Sequence, residues 1–289
     1  MLGIAGFERI GCLEMRYLER KPPPELEPFV QCFWYLNRTY NGGVDGEVLW
    51  PDGNYEVIFH FGSKYEVNKV PMETAFLIGT LTHYHQLNAE GNVRLFGVRL
   101  KPWGLKCLTN IDVKGLKDQF LPLSTIFPKS DVDNLNQELL ELGLEEGLEL
   151  LKNYILGIYK QTEIVDIALI EVLANLYNDP IHQDIKTIVG ISNYSQRQFE
   201  RKTVELTGLS PKKLSKVARF NQVRLRIYFN PAIDLHDVMT EFGYYDYAHF
   251  SKEFKESFGL TPNEYKKWML EMMNASKKRQ KDVVFLHEE

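Results

Sequence analysis

The C-terminal third of this chain repeats itself. Ile185, Ile188, Val189 and Asn193 recur 50 positions later as Leu235, Val238, Met239 and Gly243. From Phe199 the offset becomes 51: Phe199 returns as Phe250, Arg201 as Lys252, and Gly208-Leu209-Ser210-Pro211 as Gly259-Leu260-Thr261-Pro262. Each copy runs apolar residues at helical spacing into a position that tolerates a left-handed backbone, Asn193 or Gly243. A side chain able to cap a helix N-terminus follows, Ser195 or Asp246, and then a short stretch with polar and basic side chains on one face. This is the layout of a helix-turn-helix used twice, and the second helix of such a unit lies in the major groove of DNA.

Two helical hairpins that only build a bundle core would show the same apolar repeat, so charge and position have to separate the readings. Residues 181–289 carry 18 Lys and Arg against 14 Asp and Glu, whereas residues 1–180 carry 16 against 25. A basic end on an acidic chain fits a DNA reader attached to something else. Arg197, Arg201, Lys252 and Lys255 fall in the second helices, where groove and phosphate contacts are made.

With these residues in view, the chain resembles the AraC-type transcription regulators over about residues 164 to 270. The stretches that carry the resemblance are Tyr194-Ser195-Gln196-Arg197-Gln198-Phe199-Glu200-Arg201 and Gly243-Tyr244-Tyr245-Asp246-Tyr247-Ala248-His249-Phe250-Ser251-Lys252-Glu253-Phe254-Lys255. Phe258-Gly259-Leu260-Thr261-Pro262-Asn263-Glu264-Tyr265 extends the second. The resemblance implies a tandem helix-turn-helix domain behind a cupin-like sensor, double-stranded DNA as partner, a small-molecule effector, a homodimer and action with RNA polymerase. Matched position by position, it puts base-facing residues at Gln196, Arg197, Glu200 and Arg201 in the first unit, and at Tyr247, Ala248, His249, Ser251 and Lys252 in the second, with Lys255 nearby. Arg pairs bidentately with guanine, Glu accepts from cytosine and Ala meets a thymine methyl. The chain departs from the pattern at four positions: Asn193 stands for Gly, Val189 and Met239 for a small residue, and Thr203 for an aromatic matched in the second unit by Phe254. These changes predict a looser first unit.

Residues 211–229 read as one connecting helix, with Pro211 in its first turn, Leu214, Val217, Leu225 and Tyr228 near helical spacing, and Asn230-Pro231 as its stop. Nineteen residues span roughly 28 Å at about 1.5 Å each. That length suits two recognition helices about one DNA turn, roughly 34 Å, apart.

The remainder reads as residues 1–128, a β-rich sensor-like domain; 129–162, helical connector or dimerisation helices; 163–272, the DNA-binding domain; and 273–289, a polar tail with Lys277-Lys278-Arg279-Gln280-Lys281. The fold class is therefore α+β and multidomain. Phe29 to Leu36, Tyr55 to Phe61, Phe76 to Leu81 and Val93 to Leu100 are strand-like runs, expected to form a small barrel or sandwich. Apolar parity switches at Gly97, which suggests a bulge or bend there, and Trp50-Pro51-Asp52-Gly53 reads as a turn. Pro22-Pro23-Pro24 is an extended lead-in. Leu135, Leu139, Leu142, Leu148, Leu151 and Ile155 give an apolar stripe for dimerisation, interdomain packing or intramolecular core, and a helix from Glu163 to Tyr177 opens the DNA-binding domain.

Two clusters in the β-rich part invite a ligand. His83 and His85, with Glu90 and then Gly97, match the spacing of the first metal motif of cupins, and His60 is a possible fourth partner; the second motif is absent, and a polar loop explains the same residues. Arg99 and Trp103 are candidates to line an effector cavity, by pairing with an anion and by stacking, against a surface arginine and a core tryptophan. Cys12, Cys32 and Cys107 are widely spaced and suit free buried thiols. The N-terminus carries no secretory signal, no run reaches membrane length, and no phosphate loop or nucleophile-base pair appears, so the expectation is a cytoplasmic non-enzyme without a cofactor. The rival readings are a constitutive DNA-binding protein with a non-sensing assembly domain, and a cupin-type metalloenzyme with a DNA-binding tail.

Overall fold

The computed structural model of the chain describes residues 15–40, 47–159, 166–183 and 185–278. Cys12, the N-terminal segment, the expected helix start at Glu163 and the tail from Arg279 lie outside the described residues.

The N-terminal part is two antiparallel sheets. The larger has the order β1 (Met15–Arg20), β2 (Val30–Tyr40), β9 (Gly91–Leu100), β4 (Tyr55–Gly62), β7 (Ala75–Ile78) and β10 (Phe120–Pro122). The smaller runs β3 (Glu47–Leu49), β8 (His85–Ala89), β5 (Tyr65–Val67) and β6 (Val70–Pro71). The sheets face each other without closing into a barrel, and Trp34, Leu36, Ile58, Phe76 and Leu95 of the larger meet Tyr65, Val67 and Leu87 of the smaller between them. The alternatives of barrel and sandwich thus resolve to a sandwich.

The second face of the larger sheet is covered as well. Phe33, Tyr35, Val57, Phe59, Phe96 and Val98 pack under α2 (Lys129–Glu141) and α3 (Leu144–Tyr159), with α1 (Gly104–Thr109) alongside. A strand buried on both faces has no polar side to alternate with. This explains the parity switch in β9, and it corrects the expected bend: β9 pairs continuously with β4 through Gly97, and the register shift with β2 falls between Val30 and Cys32 instead. Gly97 is there for room, since a Cβ on it would stand 2.1 Å from the Trp34 indole.

The helical stripe also turns inward. Leu135, Leu139, Leu148, Leu151 and Ile155 are buried in this same core, and Gly147 lets α3 settle on Phe96, whose ring lies 2.4 Å from where a Cβ would be. Of the three readings of the stripe, intramolecular core is the one observed.

The C-terminal part is helical: α4 (Ile167–Asn178), α5 (Ile185–Ile191), α6 (Gln196–Thr207), α7 (Pro211–Phe229), α8 (Leu235–Glu241), α9 (Tyr247–Phe258) and α10 (Pro262–Lys278). Asp166 caps α4 by accepting from Leu169 N. The two units have different cores. Ile188, Phe199, Leu209 and Leu214 of the first join the cluster that continues under the β domain, whereas Phe220, Val238, Phe250, Phe254, Phe258 and Tyr265 of the second form a cluster of their own around Trp50.

Candidate nucleic-acid interface

The turns on which the recognition helices depend have the backbone that the repeat predicts. Asn193 has φ 55° and Gly243 φ 71°, both left-handed. In the first unit Ser195 and Gln198 form a reciprocal capping box at the start of α6; in the second Asp246 accepts from His249 N at 2.7 Å. Both helices end on left-handed glycines, Gly208 and Gly259.

Each recognition helix buries one side. Phe199, Thr203 and Thr207 hold α6 down, and Phe250, Phe254 and Phe258 hold α9. Thr203, where the second unit has Phe254, is fully buried and its hydroxyl donates to Phe199 O at 2.7 Å. A smaller side chain therefore stands at the centre of the first unit, and that unit draws its remaining core from outside itself.

Gln196, Arg197, Glu200 and Arg201 are all exposed on the opposite side of α6, as are Tyr247, Ala248, His249, Lys252 and Lys255 on α9; Ser251 is half-buried. Gln196 donates to Glu200 at 3.2 Å and Arg201 lies 3.7 Å from Glu205, exposed pairs that exchange readily for new partners. On the second unit Glu253 is engaged by Lys216 at 2.7 Å and Arg219 at 3.4 Å from α7, which ties α9 to the connecting helix. Asn263 donates to the Tyr247 hydroxyl at 2.7 Å and so fixes that ring's tip.

One residue escapes a periodicity argument. Tyr245 sits in the turn before α9 and is fully exposed, at the rim of a groove of about 480 Å³ lined by Asp234, His236, Tyr247, Asn263 and Lys266. An aromatic in a turn adds nothing to a helical pattern, and only its lack of a core partner marks it.

In the β domain Arg99 is fully buried on the larger sheet. Its Nε donates to Glu56 Oε1 at 2.5 Å, and its Nη1 lies 3.3 Å from Glu19 Oε1 and 3.7 Å from Cys32 Sγ. Trp34 Nε1 donates to Glu56 Oε2 at 2.8 Å, and the Tyr17 hydroxyl donates to Glu19. Burial pushes the Glu56 carboxyl up against the pull of Arg99, while the Arg99 guanidinium, disfavoured by burial, is held charged by Glu56 and its other neighbours. The anions that Arg99 pairs with thus come from the chain. Trp103 is buried in the other core, donates its Nε1 to Pro28 O at 2.7 Å and meets Tyr177 edge-on. Cys32 and Cys107 are free and buried, and burial pushes each thiol up to about 12.

Among the described residues, His83, His85 and Asp118 bring potential ligand atoms within 4.8 Å of one another. Glu90, the carboxylate of the expected spacing, is exposed and outside this group, and His60 lies against Tyr65. Asn68 fixes the His85 ring. Its Oδ1 accepts from Gln86 N at 3.0 Å, so its Nδ2 donates to His85 Nδ1 at 2.8 Å. The His85 proton is then on Nε2, which faces Asp118 Oδ1 at 3.9 Å and has no lone pair for a metal. Asp118 is occupied in its own right: burial would raise its carboxyl, but the imidazoles beside it and the Thr82 N–H and hydroxyl, at 2.6 and 2.7 Å, hold it at about 2. The donor set does not fit a resident metal ion.

Residues 189–267 match the helix-turn-helix domain family and residues 18–122 match a domain of unknown function, DUF6597. No curated protein sequence matches the chain. Among solved structures, ToxT from Vibrio cholerae O395 is similar at 14% identity and a TM-score of 0.46, covering 82% of this chain and 98% of that one. A ToxT from Vibrio cholerae strain SCE256 with unsaturated fatty acid bound is similar at 12% identity and a TM-score of 0.44, covering 90% and 97%. The AraC-like transcriptional activator CuxR is more distant, at 14% identity and a TM-score of 0.23, covering 91% and 87%. No helix among the described residues is long and apolar enough to cross a membrane. The C-terminal region thus contains a helix-turn-helix domain, present in the fold as two units, carried behind a β-rich region that matches DUF6597.

Proposed function

We propose that the chain is a one-component transcription regulator whose two recognition helices read consecutive major-groove segments of one operator, with the β domain as its regulatory half. The observation that carries this reading is the pair of exposed faces at equivalent places in the repeat, Gln196, Arg197, Glu200 and Arg201 on α6 and Tyr247, Ala248, His249, Lys252 and Lys255 on α9, each backed by a buried apolar face. Arg197 and Arg201 supply bidentate contacts to guanine, Glu200 accepts from cytosine, Ala248 meets a thymine methyl, and Lys252 and Lys255 take guanine or phosphate. Tyr245, at the foot of α9, is placed to pack on the sugar-phosphate backbone. A small molecule or partner acting on the β domain supplies the control.

Selection of the full-length protein from a random duplex library tests the reading. The expected product is a bipartite site with blocks about 10 base pairs apart. Arg201→Ala should relax the sequence of one block and Lys252→Ala that of the other, each removing about 1–3 kcal/mol of discrimination against the wrong base. Recovery of binding that is strongly salt-dependent but blind to sequence would overturn it.

A further inference from the structure

The turn between β3 and β4 belongs to the β domain in sequence and to the DNA-binding domain in its contacts. Trp50 is 5% exposed and stands in the core of the second unit. Its ring meets Tyr265 edge-on at 5.8 Å and Trp268 at 5.5 Å, and the Arg224 guanidinium of α7 lies over it at 5.4 Å. Asp52 O accepts from the Tyr177 hydroxyl of α4 at 2.6 Å. The turn is closed locally by Asn54, which donates from N and Nδ2 to the Asp52 carboxylate at 2.9 and 3.0 Å. Gly53, at φ +84°, is pressed against Tyr177, Val217 and Leu214, where a Cβ would come within 3.3 Å of the tyrosine ring. Tyr55 is fully buried and donates its hydroxyl to Thr207 O, the last residue of α6, at 3.0 Å.

One short turn of the β domain therefore touches the second unit's core, the middle of the helix joining the units, and the C-terminus of the first recognition helix. A helical domain that needed only its own residues would bury none of these side chains. Neighbouring loops support the same junction: Val113 O lies 2.8 Å from where a Cβ on Gly208 would be, and the Tyr84 ring packs on Gly259, so each recognition helix ends against the β domain.

Resting on the proposed function, we infer that the Trp50–Tyr55 turn is a positioning clamp that sets the separation and rotation of α6 relative to α9, and through them the operator spacing the protein accepts. It also gives the β domain a mechanical route to both helices. Glu56 follows Tyr55 directly in β4 and its side chain points to the opposite face, into the buried cluster with Arg99 and Trp34. A change in that cluster displaces the strand whose first residue holds α6.

The test uses the full chain and duplexes that carry both selected blocks at the selected spacing, or moved one or two base pairs closer or apart. The wild type should prefer its own spacing at least tenfold. Trp50→Ala should cut that preference severalfold while affinity for a duplex with one block stays within about twofold, because the base-facing residues are untouched. Tyr55→Phe, which removes one hydroxyl and keeps the ring, should do the same in smaller measure. It serves as the clamp test if Trp50→Ala does not fold, as judged by circular dichroism. A general loss of stability lowers the active fraction on all duplexes equally and leaves their ranking unchanged. Unaltered spacing preference in the folded variants overturns the clamp and leaves the function standing. A wild type that selects no bipartite site overturns the function, and the clamp with it.

Discussion

Gly97 shows how much a single residue can carry without a side chain. A methyl placed there would stand 2.1 Å from the Trp34 ring, in a strand held by partners on both sides. For Gly97→Ala we expect a loss of about 3 kcal/mol in urea unfolding, the upper end for overpacking. Gly97→Ala combined with Trp34→Leu should recover a good part of it, and strictly additive losses would show that the indole is not the obstacle. Whether such a residue can be read from the chain depends on how far away its neighbours are in sequence. Asn193, Gly243, Ser195 and Asp246 act on backbone within three or four positions, and their roles are legible. Gly97 and Arg99 act on distant partners, and theirs are not. The parity switch in β9 is real, but its cause is a sheet covered on both faces, which no window along one strand reveals. Asp118, which joins His83 and His85, comes from a loop 33 positions after His85, beyond any motif spacing.

Elements are readable where they are long and carry their own punctuation. The connecting helix is bounded at residues 211–229 by its first-turn proline and by Asn230-Pro231, and α7 spans Pro211–Phe229. β1, β5, β6, β8 and β10 give no usable signal: they are short, and their existence depends on the strand they pair with. The repeat allows a test at this scale that needs no DNA. Gly243 has φ +71° and open space where a Cβ would go, so Gly243→Ala carries only the backbone penalty, about 1 kcal/mol. Gly243→Asn writes the first unit's solution, Asn193 at φ 55°, into the second and should cost less than half as much in thermal or urea unfolding. Equal costs for Ala and Asn would mean that the turn is not held in the left-handed region and that the two units do not share it.

At the scale of the whole molecule, two domains are visible along the chain, but how they meet is not. Trp50-Pro51-Asp52-Gly53 is recognisable as a turn, and nothing in it announces that its tryptophan completes a core some 200 positions downstream. The apolar residues of the first unit do not form a separate cluster but continue into Tyr55, Val113, Leu173 and the face of the larger sheet. Neither helix-turn-helix is thus a free-standing body, and domains that share cores unfold together when the shared contacts are worth more than the difference between their own stabilities. We therefore expect one cooperative transition for the full chain. Tryptophan fluorescence, which reports Trp34 and Trp103 in the β domain, Trp268 in the second unit and Trp50 between them, should give the same urea midpoint as far-UV circular dichroism, which is weighted to the helices. Trp50→Phe, which keeps an aromatic in the slot, should hold the two midpoints together; Trp50→Ala should pull them apart, with the helical signal lost first. A wild type that already shows two separate midpoints would mean that the turn at residues 50–55 rests against the DNA-binding domain without binding the two halves into one cooperative unit.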